Sequence, residues 1–436
     1  MKRASFKEIF GWAMFDFANQ AYTLLIITVI FGDLFTRVIV GDAHADYRLG
    51  NLLWSIALAV SYLLVVLTGP VAGAVMDFSA ARKRFLFASY VLTVISTSLL
   101  YFVAPGYIWL GMALIVVSNF AYAIGESFIA SFLPELGPRE ELGWISGFGW
   151  ALGYVGGLVA TAFALVALGE VSEENFERIR WVGPFAAVFF LVAAIPTFLW
   201  LQERGRARRL PGLRQYVGIG FRRVRATLGD LPHYRDLTIL MVSVFFAMAG
   251  IYIIISFTFI YGAQVIQWDE KVRVWMFITV QLTAACGALA FGFLQDRVGA
   301  RRTYVATLAL WILAVSLIFA TPWLGHVLDL EAQHVFLVVG SVAGLCLGST
   351  QSAGRALVGV LSPRLRAAEF FGFWGLSSKL AAIVGLLGLG VLQLLVGLHL
   401  SILFCALLFG FALLAALGLD EKRGRQVAEA RESRAG

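Results

Sequence analysis

Twelve stretches of roughly 20 or more mostly apolar residues, separated by short charged or Gly- and Pro-containing segments, decide what this chain can fold into. In hydrocarbon every backbone N–H and C=O must find a partner within the protein, so a spanning segment is either a helix or a strand of a closed barrel. Runs of this length without strict alternation of apolar and polar residues specify helices. They fall near 9–32, 50–76, 85–104, 107–133, 143–168 and 181–201, then near 237–262, 272–295, 303–324, 335–361, 370–396 and 399–419. The expected fold class is an all-α membrane protein with twelve transmembrane helices. Nothing between the runs is long enough for a soluble domain, and 14% charged residues fall well short of the roughly 25% of soluble chains. Cys286, Cys346 and Cys405 lie in separate apolar runs and read as small hydrophobes, so neither a disulfide nor a metal site is expected.

The net charge of +7 is a statement about topology. With both termini on one side, the opposite side carries only Arg37, Arg48, Arg178, Arg180, Lys271 and Arg273, and every other loop or tail lysine and arginine lies with the termini. Lys and Arg are retained in the cytoplasm during insertion, so both ends are expected there, in the inner membrane of a bacterium. The partners implied are a lipid bilayer and no nucleic acid. The longest connection contains Arg204, Arg206, Arg208, Arg209, Arg214, Arg222, Arg223 and Arg225 and reads as a basic amphipathic helix on the anionic leaflet. It divides the chain into residues 1–201, a linker at 202–233, residues 234–419 and a cytoplasmic tail at 420–436.

The two large parts repeat one another. Gly73, Asp77, Arg82 and Lys83 after run two recur at unchanged spacing as Gly292, Asp296, Arg301 and Arg302 after run eight. Gly125, Pro134, Gly143 and Gly156 recur in the same way as Gly354, Pro363, Gly372 and Gly385. Two matches at corresponding places specify a duplicated six-helix unit, hence two pseudo-symmetric bundles.

The loop repeat resembles the inner-loop motif G-x-x-x-D-R-x-G-R-R of the major facilitator superfamily. The second copy, with Arg297 and Gly299, is nearly complete; the first has Phe78 for Arg and Ala80 for Gly. Within that superfamily the chain is similar to the vacuole-effluxer branch. The segments that carry this are Trp12-Ala-Met-Phe-Asp16-Phe-Ala-Asn19-Gln-Ala-Tyr22, Ser146-Gly147-Phe148-Gly149-Trp150-Ala-Leu-Gly153-Tyr154-Val-Gly156-Gly157 and Ala368-Glu369-Phe370-Phe371-Gly372. The resemblance implies the major facilitator fold and a secondary transporter working by alternating access on a small polar or zwitterionic, amino-acid-like solute. It also implies that Asp77 and Asp296 latch the inner face, with Glu135 receiving the basic residues. Independently of any family, a carboxylate at a helix end can accept hydrogen bonds from the free N–H groups of a neighbouring helix. The simpler alternative is a basic turn that only guides insertion.

Four charges lie well inside the runs: Asp16, Glu126, Arg355 and Lys379. Each would cost at least about 2.5–3.5 kcal/mol in mid-bilayer, so each must face a cavity or a partner. Glu126 and Arg355 coincide in the repeat, as do Trp150 and Lys379. Helical spacing sets Gln20 and Thr23 beside Asp16, Asn119 and Tyr122 beside Glu126, and Gln351 beside Arg355. Asn19, Tyr22, Trp150 and Tyr154 are secondary candidates, more readily explained as packing. Two readings stay open. In one, the acids hold an ammonium group or a coupling proton while the bases hold a carboxylate. In the other, Glu126 pairs with Arg355 and Asp16 with Lys379 as gates between the halves. No cofactor is expected, and a monomer is. An ATP-binding loop is absent, and His44, His326, His334 and His399 lie far from His233, so no catalytic cluster arises and an enzyme is not expected. A lipid or amphiphile flippase on the same fold is the alternative.

Overall fold

The computed structural model describes residues 3–41, 47–169, 171–204, 213–230 and 232–435. Its membrane helices are α1 (Phe6–Val40), α2 (Leu49–Ser79), α3 (Arg82–Phe102), α4 (Ile108–Leu136), α5 (Arg139–Leu168) and α6 (Phe176–Trp200). The second set is α7 (Arg235–Thr258), α8 (Lys271–Val298), α9 (Ala300–Leu328), α10 (Ala332–Leu361), α11 (Arg364–Gln393) and a bent α12. In α12, Leu395–Ser401 meets Leu403–Leu417 at 65°, just after Gly397 with φ of 79°. Among the described residues eleven spans, with this bent pair counted as one more, give the expected twelve.

The first span runs eight residues past its expected end. Asp33 and Arg37 pair at 3.3 Å one turn apart, so neither charge stops the helix. The extension is wound with wider π turns at Thr23–Val29 and Phe35–Val40.

The halves meet along two equivalent seams, α5 against α8 and α11 against α2. Glycine makes both possible. A Cβ on Gly292 would come within 2.7 Å of the Gly143 carbonyl oxygen, and one on Gly372 within 2.6 Å of the Gly69 carbonyl oxygen. The Gly-rich face of α5 continues against α1, where Gly149 leaves room for Asp16. Both termini lie on one face: Ala4 donates to the Leu136 carbonyl, and a tail helix, Glu421–Ala435, crosses the start of α5. This is called the terminal face below.

The linker forms the expected helix, Leu213–Gly229, which packs on α2 with Gly220 against Val71 and Val75. Thr227 is fully buried against Glu369, while Phe221 and Leu228 stay exposed. Arg206, Arg208 and Arg209 lie outside the described residues.

Both loop repeats place a residue of positive φ at the equivalent position. Gly299 has φ of 108°, and Ala80, at the equivalent turn, is held at φ of 46° in the left-handed region that favours glycine. Ala80→Gly should therefore stabilise the fold by up to about 1 kcal/mol, seen as a raised melting temperature in detergent. An unchanged or lower value contradicts strain at this turn.

Candidate functional site

The four intramembrane charges form two ion pairs, each joining the two halves. Arg355 Nη1 on α10 donates to Asp16 Oδ2 on α1 at 2.7 Å, and Lys379 Nζ on α11 donates to Glu126 Oε2 on α4 at 2.8 Å. The pairs of the gate reading, Glu126 with Arg355 and Asp16 with Lys379, are not formed. Equivalent positions in a duplicated fold lie on opposite sides of its two-fold axis. Glu126 and Arg355 are equivalent, and each meets what its own helix faces: α4 packs on α11, and α1 packs on α5, which packs on α10.

The pairs differ in setting. Arg355 is 2% exposed and fully engaged. Its guanidinium lies between the rings of Trp12, at 4.6 Å, and Trp150, at 5.2 Å. Its Nε donates to Ser146 Oγ at 3.1 Å and its Nη2 to the Ser146 carbonyl at 2.9 Å. This is a sealed fastener. Glu126 and Lys379 instead line a small central cavity, with room of about 40 Å³ for water, together with Trp150, Tyr252, Gln351 and Trp374. Glu126 is 24% exposed and also accepts from Tyr122 Oη at 3.0 Å, which is bonded in turn to Thr23 Oγ1 at 2.6 Å. Lys379 donates a second hydrogen bond to Tyr252 Oη at 3.0 Å and stands over the Tyr62 ring at 5.4 Å.

The secondary candidates separate. Trp150 and Gln351 line the cavity, and Tyr154 Oη bonds Gln351 Oε1 at 2.5 Å across the seam. Tyr22 stacks on Tyr122 and bonds Ser118, while Asn119 donates to Ser61 at 2.6 Å; both tie helices of the first bundle together. Gln20 packs against the glycines of α5, and Asn19 is buried with its Oδ1 unpartnered among the described residues. Tyr62 and Tyr252 carry no mark in the sequence, and Ser146 stands there only as part of a glycine-rich segment, not as a site residue. A tyrosine or serine in an apolar helix carries no signal until a charged neighbour is placed beside it.

On the terminal face, Asp77 and Asp296 occupy matching positions. Asp296 accepts from the backbone N–H of Gly143 at 2.9 Å and Trp144 at 2.8 Å, at the start of α5. Asp77 accepts from those of Ala368 at 3.1 Å and Glu369 at 2.8 Å, at the start of α11. Each carboxylate of one half thus satisfies free donors at a helix N-terminus of the other. Gly73 and Gly292 provide the close approach beside them. The basic residues diverge. Arg82 bonds Asp77 at 2.7 Å, Glu135 at 2.6 Å and the Arg364 carbonyl at 3.0 Å. Lys83 donates to the Leu201 carbonyl at 2.7 Å. The backbone N–H of Arg301 donates to Glu421 at 2.8 Å, as that of Arg82 does to Glu203, while its guanidinium donates to the Leu417 carbonyl at 2.7 Å, and Arg297 and Arg302 are exposed. Glu203 caps α3 through the N–H groups of Arg82 and Lys83, while burial pushes its carboxyl above the ordinary range. Among the described residues no group of three or more His, Cys, Asp or Glu could hold a metal.

Comparison with known proteins places this geometry. A family model described as "Vacuole effluxer Atg22 like" matches residues 52–429. The uncharacterized MFS-type transporter YxiO of Bacillus subtilis is 25% identical over 404 residues, covering 91% of this chain and 90% of its own. Autophagy-related protein 22-1 of Aspergillus niger is 22% identical over 326 residues, 70% of this chain and 52% of the fungal protein. Among solved structures, the proton:xylose symporter XylE superposes with a TM-score of 0.74 at 16% identity, covering 98% of each chain. The human organic anion transporter MFSD10 does so with 0.72 at 15%, covering 94% of this chain and 99% of its own. At these identities the structural likeness concerns the fold alone, that of major facilitator transporters.

The contrast between the two pairs is measurable as stability. Asp16→Asn strands a sealed guanidinium and should lower unfolding free energy by about 3–5 kcal/mol. Glu126→Gln leaves Lys379 at a cavity wall and should lower it less. Equal losses in thermal unfolding would contradict the assignment.

Proposed function

The chain belongs to the vacuole effluxer Atg22-like family of major facilitator transporters, and from that premise we propose that it moves a small zwitterionic, amino-acid-like solute by proton-coupled alternating access. The observation that carries this reading is the Glu126–Lys379 pair, one charge from each half, at the wall of the central cavity. Protonation of Glu126 dissolves the pair and frees the ammonium of Lys379 for a cargo carboxylate. The cargo's own ammonium group then faces the rings of Tyr62, Tyr252 and Trp374. Release on the other side lets Glu126 return its proton and pair again, so proton and cargo travel together. A ligand shifts the equilibrium between two conformations only through differential contact with them. A bond between the halves that cargo replaces supplies such a difference.

Asp77 and Asp296 act as the latches of the terminal face in this cycle. The inter-half bonds described above lie between the central cavity and that face, so the conformation seen here is closed there. The distribution of lysine and arginine supports a cytoplasmic terminal face, in the inner membrane of a bacterium, with the protein working as a monomer.

Proteoliposomes assayed with each of the proteinogenic amino acids provide the test. At least one should accumulate under an inward proton gradient, with alkalinisation of the medium. Glu126→Gln should abolish both effects while keeping cargo exchange between the two sides. Uptake that ignores the gradient removes the proton coupling, and absence of any amino-acid uptake removes the cargo class.

A further inference from the structure

The tail helix, Glu421–Ala435, has no part in the cargo site, yet it is bound to both halves of the molecule. Its first turns are fixed to the second half. Asp236 at the start of α7 accepts two hydrogen bonds from Arg423, at 2.7 and 2.8 Å, and one from the Asp420 N–H. Glu421 caps α9 through the Arg301 N–H, Gly424 sits against Leu361, and Ala428 is completely buried. Its last turns reach across the seam. Glu432 Oε1 accepts from Arg139 Nη2 of the first half at 2.7 Å and from the Arg364 N–H of the second half at 2.7 Å. Arg425 pairs with Glu140, and Arg431 lies 3.6 Å from Asp230 beside the linker helix.

Arg139 makes this more than a surface contact. Its side chain is 4% exposed at the start of α5 and also donates to the carbonyls of Val360 and Ser362 at the end of α10. Parting α5 from α10 on the terminal face pulls Arg139 away from those carbonyls and into water. The carboxylate of Glu432 therefore stabilises the closed arrangement, where Arg139 is desolvated, far more than an open one, where water serves instead. We infer that the tail helix is a strap across the terminal face, and that Glu432 is a positioning residue which sets the equilibrium between closed and open conformations without touching cargo. A tail drawn off by any ligand on that side would release the same restraint, which gives the chain's end a means of setting transport rate.

The test needs no cargo. In the full chain with the exposed Cys286 replaced by Ala, a reporter cysteine is introduced either as Ser362→Cys, beside Arg139, or as Ser352→Cys, deeper in the seam where its carbonyl accepts from Ser146. Both serines are fully buried, with side-chain oxygens unpartnered among the described residues. Maleimide labelling of detergent-solubilised protein reads opening at the two depths. Glu432→Gln should speed labelling at both positions by about fivefold or more, the scale of a typical coupling between sites, and Glu432→Asp should fall between. Acceleration at Ser362→Cys alone marks local fraying of the tail and overturns the strap, as does labelling unchanged or slowed at both. Asp296→Asn serves as the reference for an opened gate. If it accelerates labelling and Glu432→Gln does not, the strap fails while alternating access stands. Glu432 is on the last turn of a surface helix, and a melting curve matching the parent excludes misfolding as the cause of faster labelling.

Discussion

A charge in hydrocarbon must be matched by another, and here that requirement is met across the boundary between the halves. Had Asp16 and Glu126 found partners within the first bundle, each bundle would be electrostatically complete and indifferent to its neighbour. Instead both acids come from one bundle and both bases from the other. Neither half can separate from the other at the level of these pairs without exposing or stranding a charge. The sealed Asp16–Arg355 pair holds that boundary, with Trp12, Trp150 and the Ser146 backbone completing its shell. The Glu126–Lys379 pair opens onto a cavity, where water can reach either partner.

Towards the terminal face the duplication is used differently. Asp77 and Asp296 each meet a pair of helix N-terminal N–H groups in the opposite half, a symmetric arrangement built on close glycine contacts. The basic side chains of the two loops have diverged, Arg82 towards Glu135 and Arg301 towards the Leu417 carbonyl at the end of α12. The duplicated unit thus supplies two like latches, and a glutamate after the last span of each half, Glu203 or Glu421, caps the helix that follows each loop.

The helices and the membrane charges were legible in the sequence for a plain physical reason. Length and apolarity of a run are local properties, and so is the presence of an aspartate or lysine inside it. Who pairs with whom is not local. Glu126 and Arg355 looked like partners because they are equivalent, but Glu126 meets Lys379 on α11, which packs on α4, and Arg355 is taken up by Asp16 of α1. The Tyr62 and Tyr252 rings around Lys379 escaped notice for the same reason. Asp33 and Arg37 marked a helix end by composition, and their mutual pairing carried α1 onward. The tail read only as a cytoplasmic tail, since nothing local shows that Glu432 meets a buried arginine nearly 300 positions earlier.

The central claim is that one ion pair fastens the halves and the other receives cargo. Neutralising each pair as a whole, so that no lone charge is left buried, separates the two roles. For an amino acid shown to be transported, binding measured by isothermal titration should change by no more than about threefold in the Asp16→Asn, Arg355→Gln double variant. It should be lost in the Glu126→Gln, Lys379→Gln double variant, as expected when buried polar contacts to a ligand are removed. Loss of binding in the first variant with retention in the second would contradict the account.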